Sequence, residues 1–186
     1  MDSEKIKKGV TLILEGIGED PGRDGLIQTP ERVAEFYADF FSGINKDPQK
    51  EIRIFITKNH DEMIILRNIS FVSMCEHHLL PFFGHAHIAY IPDSNRIVGF
   101  SSLARVVDTL ARRPQLQERM TTDIADFIID AIKPKGVMIV LEAEHMCMTI
   151  RGVKKPGSKV LTSAIRGIMR SAPSRAEAYN LIIQKQ

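Results

Sequence analysis

Both cysteines of this 186-residue chain, Cys75 and Cys147, sit beside histidines, in "MCEHHLLP" and "EAEHMCMT". Two thiols so far apart in sequence constrain the fold strongly, because an ion shared between them requires two distant segments to meet. A disulfide is the other common use of two cysteines, but disulfides belong to oxidising compartments. The opening stretch, "MDSEKIKKGVTLILEGIGED", has an apolar run too short and too interrupted by charge for a signal peptide or a membrane span. The chain therefore reads as cytoplasmic, with no membrane partner, and its cysteines read as metal ligands.

Zinc takes cysteine and histidine ligands, and a catalytic zinc keeps three protein ligands with the fourth position open. Cys75, one histidine of the His77/His78 pair, and Cys147 supply such a set. An extended backbone aligns Cys75 with His77, whereas a turn aligns it with His78; spacing alone does not choose. A different class of reading is a non-catalytic ring in which zinc only braces the fold. That would need His77 or His145 as a fourth ligand, since there is no third cysteine. His85 and His87 alternate along the following stretch and read as sheet residues with satisfied hydrogen bonds. Iron or cobalt could use the same ligands.

The length suits one domain with a helical extension. With 44% hydrophobic and 26% charged residues the composition is that of an ordinary globular chain. A formal net charge of +2 leaves no basic excess, so nucleic acid is not an expected partner.

Ile6, Val10, Ile13, Leu14 and Ile17 recur at helical spacing, and "DPGRDG" then reads as a turn. Thr29 and Pro30 resemble an N-cap and first helical position, opening a second helix that ends near Ser42 and Gly43. "EIRIFI", "MIILRNISFVSM" and "FGHAHIAYIP" predict three strands. Leu103 to Leu110 predict a helix closed by "RRP", and the apolar residues from Leu116 to Ile132 predict another reaching about Lys133. A strand is expected from Gly136 to about Arg151, with alternation placing Ile139, Leu141, Ala143, His145, Cys147, Thr149 and Arg151 on one face. Short helices are expected near 161–170 and 174–184. This order predicts an α+β fold, an antiparallel sheet with helices on one face. The expected regions are a helical one over 1–50 and a catalytic one over 51–186.

"CEHHLLPFFGHAHIAYIP", "RRPQLQERMT" and "EHMCMTIRGV", in this order, closely resemble the GTP cyclohydrolase I family, with similarity from "EDPGRDGLIQTPERVA" to the C-terminus. The resemblance implies the tunnelling fold, or T-fold: a four-stranded antiparallel sheet with two helices on one side and an N-terminal helical extension. It also implies assembly into a toroidal homodecamer with active sites between subunits. The zinc ligands it implies are Cys75, His78 and Cys147. It implies hydrolysis at C8 of the guanine ring of GTP, release of formate and closure to 7,8-dihydroneopterin triphosphate, a step of pterin and tetrahydrofolate (one-carbon) biosynthesis. Zinc would ionise water at neutral pH. His145 would deliver a proton to N7, and His77 would orient water or the opening ring. Glu118 matches the guanine anchor, with Gln117 beside it.

Ser101 and Arg105 lie four apart near an expected helix start, a place that favours anions. Both match family positions that contact ribose or triphosphate, and Arg32 and Arg151 match further basic positions. Two lysines usual in the family are absent, because the chain has Ser102 and Glu35 in their places. One unit pair at 4 Å is worth about 4 kcal/mol at an effective dielectric of 20. Lys154, Lys155, Lys159, Arg112 or Arg113 could restore the charge. An alternative substrate is therefore a purine without the triphosphate: a nucleoside, a monophosphate or a free base.

Overall fold

The computed structural model describes residues 1–58 and 60–183. The final residue of the helix expected over 174–184, and the end of the region expected over 51–186, lie outside them. Contacts divide the chain into two units, Met1–Ser42 and Gly43–Gln186, so the division falls before the boundary expected after residue 50. The reason is local. Arg113 donates from Nε to the Gly43 carbonyl and from Nη2 to the Lys46 carbonyl, both at 2.8 Å, tying this stretch to the larger unit. Gly43 is also obligatory there, since a Cβ would lie 2.1 Å from the Thr109 carbonyl oxygen.

In the first unit, Asp2 caps α1 (Ser3–Gly16) by accepting from the Lys5 amide. Gln28 takes the N-cap position of α2 (Thr29–Phe40), with Pro30 in the first turn. Lys7 pairs with both Glu4 and Glu31, one carboxylate from each helix.

The larger unit is built on strands. β1 (Ile54–Ile56) pairs with β4 (Arg96–Val98) in a small ribbon. The main sheet holds β2 (Ile64–Cys75), β3 (Leu80–Ile91), β6 (Gly136–His145) and β7 (Lys159–Gly167), each antiparallel to the next. A two-residue β5 (Pro114–Gln115) runs parallel to β2 at the edge. Helices α3 (Phe100–Ala111) and α4 (Gln117–Ile132) cover one face, where Ile88, Ile139 and Leu141 meet Leu103, Val107, Ile124 and Ile128. The alternate residues Ala89, Met138 and Val140 face the other way, against Ala178 and Ile182 of α6 (Ala172–Ile183). Covered on both faces, β6 is an apolar run from Gly136 to Leu141, as such strands must be.

Two expectations fail here. The strand from Gly136 ends at His145 rather than near Arg151, because Met146–Thr149 winds into one helical turn, α5. The segment expected as a helix near 161–170 is instead β7 followed by a 3-10 turn at Ile168–Arg170. Its apolar residues mimic helical spacing, but β6 offers a full row of backbone partners from Gly136 to Glu144, and pairing prevails.

Candidate active site

β2 delivers Cys75 to a hairpin end, and residues 76–79 turn the chain back into β3. The His78 and Leu79 amides both donate to the Cys75 carbonyl, at 3.4 and 2.9 Å, and Leu79 takes a left-handed φ of 51°. This tight turn, not an extended backbone, is what aligns Cys75 with His78. The turn is braced from α4. Arg119 pairs with Glu76 and donates to the Gln115 side chain at 3.1 Å, while the Glu76 amide donates to the Gln115 carbonyl.

The second cluster arrives on β6. His145 ends that strand opposite Phe82, and the single turn of α5 carries Cys147 away from the alternation expected of it. One ligand atom each from Cys75, His78 and Cys147 then lie within 4.8 Å of one another. Ligands at 2.0–2.3 Å around a tetrahedral ion are about 3.5 Å apart, so this set needs only a small closure. Burial and then the neighbouring Cys75 push the Cys147 thiol above its ordinary range. A thiol held neutral by burial and by a neighbouring sulfur is one that a cation bound between them would ionise. The donor set therefore fits a soft divalent metal. Among the described residues this is the only such group with three or more members, and it has no fourth ligand.

Around this trio is a hollow of about 210 Å³, whose wall includes His77, Gln117, Glu118 and His145. Gln117 is 1% exposed, and its Nε2 donates to the Leu141 and Val160 carbonyls and to Thr162 Oγ1 at 3.0–3.2 Å. Its Oε1 must then face His145 Nε2, 2.7 Å away, so that nitrogen carries the hydrogen. Gln117, expected beside the purine, thus has its amide committed to holding His145. The imidazole also stacks on Phe82, with centroids 4.6 Å apart and planes at 1°. Burial pushes the His145 pKa below its ordinary value, and Glu118 partly opposes this. Glu118 is exposed in the first turn of α4, where a carboxylate suits the helix dipole.

Ser101 and Arg105 line a different hollow of about 260 Å³, at the start of α3, together with Lys50, Glu51, Arg53 and Ser102. Arg151 is exposed beyond α5 and lines neither hollow. Arg32 belongs to the N-terminal unit, where its Nη2 donates to Gln28 at 2.7 Å; Glu35 is exposed on the same helix. The sequence reading missed Phe82, Arg119, Lys50 and Arg53. An aromatic at a regular strand position and arginines or lysines on a surface carry no local signal that marks them out.

The model of the family described as GTP cyclohydrolase I matches residues 6–183. The chain belongs to the GTP cyclohydrolase I family. Its sheet, with α3 and α4 on one face, is the T-fold of that family. The chain is 56% identical over 187 aligned positions to GTP cyclohydrolase 1 of Clostridioides difficile, covering 100% of this chain and 98% of that protein. GTP cyclohydrolase 1 of Thermoanaerobacter pseudethanolicus is 57% identical with both chains fully covered. The Bacillus subtilis protein of the same name is 53% identical, over 98% of this chain and 96% of its own. Membership of the GTP cyclohydrolase I family makes the chain a hydrolase of that type.

Proposed function

We propose that this protein is a zinc-dependent GTP cyclohydrolase I, converting GTP and one net water to formate and 7,8-dihydroneopterin triphosphate. The observation that carries the reading is the meeting of Cys75, His78 and Cys147 at the rim of a hollow that also presents His145 and Glu118. Cys75 Sγ, a His78 ring nitrogen and Cys147 Sγ would hold the ion, which when bound supplies Lewis acidity that ionises water near neutral pH.

The chain's own residues do the rest. Glu118 accepts from the N1–H and 2-amino donors of guanine and so orients the ring. Hydration of C8 places electron density on the imidazole ring, and a proton must reach N7. With Nε2–H given to Gln117, the His145 Nδ1 is an acceptor that takes a proton from the attacking water and passes it to N7, while Phe82 fixes the plane of the ring. His77, exposed on the rim, orients the second water that cleaves the formamide. Two waters are consumed in removing C8 and one is released when the ring recloses.

A 210 Å³ hollow is below the roughly 300–1,000 Å³ of complete small-molecule sites, which supports completion by a neighbouring copy. The proposed assembly is a toroidal homodecamer with shared sites, in which Ser101, Arg105, Arg151 and Arg32 meet the ribose and triphosphate. The proposed place of the protein is the cytoplasm, in pterin and tetrahydrofolate biosynthesis, without membrane or nucleic-acid partners. No helix among the described residues is long and apolar enough to cross a membrane. The alternative of a purine substrate without the triphosphate is not favoured, since relatives 53–57% identical across the chain carry the name GTP cyclohydrolase 1.

The test offers GTP, GMP, guanosine and free guanine to zinc-loaded protein and follows formate and pterin fluorescence. GTP turned over well ahead of the rest is the expected result. No turnover of GTP would overturn the reading.

A further inference from the structure

We propose that Lys50 and Arg53 are specificity-determining contacts for the polyphosphate tail, completing an anion cradle with Ser101, Ser102 and Arg105; this rests on the reading of GTP as the substrate. The hollow at the start of α3 gathers three cations and one carboxylate. That carboxylate, Glu51, is spent on Arg105, whose Nε lies 2.8 Å from it. Lys50 and Arg53 have no carboxylate partner among the described residues, so the hollow keeps an excess of two positive charges. Converging cations without counter-charge repel one another, a cost that an arriving anion reverses.

The floor of the hollow is polar and fixed. Ser102 is 1% exposed, and its Oγ accepts from Arg105 Nη2 at 3.2 Å. Its own hydroxyl proton goes to no described acceptor and is available to an oxygen ligand. Gly99 takes the N-cap position of α3, and no side chain caps the first amides of that helix. The serine that stands where a family lysine is usual therefore does not leave the hollow neutral. The charge sits on the neighbouring Lys50 and Arg53 instead. Two other candidates for that replacement are spent elsewhere: Arg113 on the Gly43 and Lys46 carbonyls, and Lys159 on Glu142.

The experiment uses the full-length, zinc-loaded protein and two readouts: calorimetric titration with inorganic tripolyphosphate, and GTP kinetics. Replacing both residues, Lys50→Gln with Arg53→Gln, is expected to weaken tripolyphosphate binding about tenfold or more and to raise KM for GTP by a similar factor, with a much smaller change in kcat. Both side chains are exposed, and the charge-keeping pair Lys50→Arg with Arg53→Lys should restore both values. The pair Lys154→Gln with Lys155→Gln should bind tripolyphosphate as the parent does. Unchanged affinity in the first pair, or a loss that falls on the Lys154/Lys155 pair instead, would overturn the proposal. Failure of the parent to turn over GTP would sink the proposed function alone, because tripolyphosphate binding is read without turnover.

Discussion

The two hollows of the larger unit are built on opposite principles. Around Cys75, His78 and Cys147 the central support is a buried amide with both polar atoms assigned: three acceptors hold the Gln117 amide nitrogen, and its oxygen holds His145. Around Ser101 the groups are long, exposed cations over one buried hydroxyl. Bond-making at a carbon atom demands placement within a fraction of an ångström, which only a packed interior can enforce. Holding a polyanion demands charge density more than placement, and flexible lysine and arginine provide that without a rigid frame. Position at the first hollow is therefore unforgiving, and identity at the second is exchangeable.

The largest effect should come from Cys147→Ser. Metal content measured on the purified protein should fall sharply and formate release should disappear, while the far-ultraviolet circular dichroism stays that of the parent. Retained metal with lost activity would contradict a three-ligand centre. Next in size is Gln117→Leu, which leaves the Leu141 and Val160 carbonyls and the His145 N–H without their partner. Stability should drop by about 2–4 kcal/mol in urea unfolding, and kcat by about a hundredfold, with KM for GTP moving little. A KM effect as large as the kcat effect would instead place Gln117 against the substrate. The smallest effect is that of salt. Between about 0.05 and 0.5 M ionic strength, KM for GTP should rise several-fold as exposed cations are screened, while bound metal is unchanged. Salt-independent KM would remove the contrast between the two hollows.

Much of this was legible in the residues themselves. The periodicity of Leu103 to Leu110 and of Leu116 to Ile132 gave both covering helices, and clustered Cys and His types pointed to the metal group. The choice of His78 was not legible, because it depends on a turn whose hydrogen bonds return to the Cys75 carbonyl. The role of Gln117 was hidden for a related reason. Its partners are carbonyls of β6 and β7, and any residue type supplies a carbonyl. β7 was mistaken for a helix because Leu161, Ala164, Ile165 and Ile168 fall at helical intervals, and only the presence of β6 beside them decides otherwise.

β6 passes into the turn bearing Cys147 with no intervening linker, and both its neighbours are bonded to it along its length. The strand thus acts as a ruler. Deleting or inserting one residue between 136 and 145 would displace the Cys147 sulfur by about 3.4 Å and turn the strand's side chains beyond the change to the opposite face. Length variation in this protein should be confined to stretches such as 151–158, which lie beyond the end of that ruler.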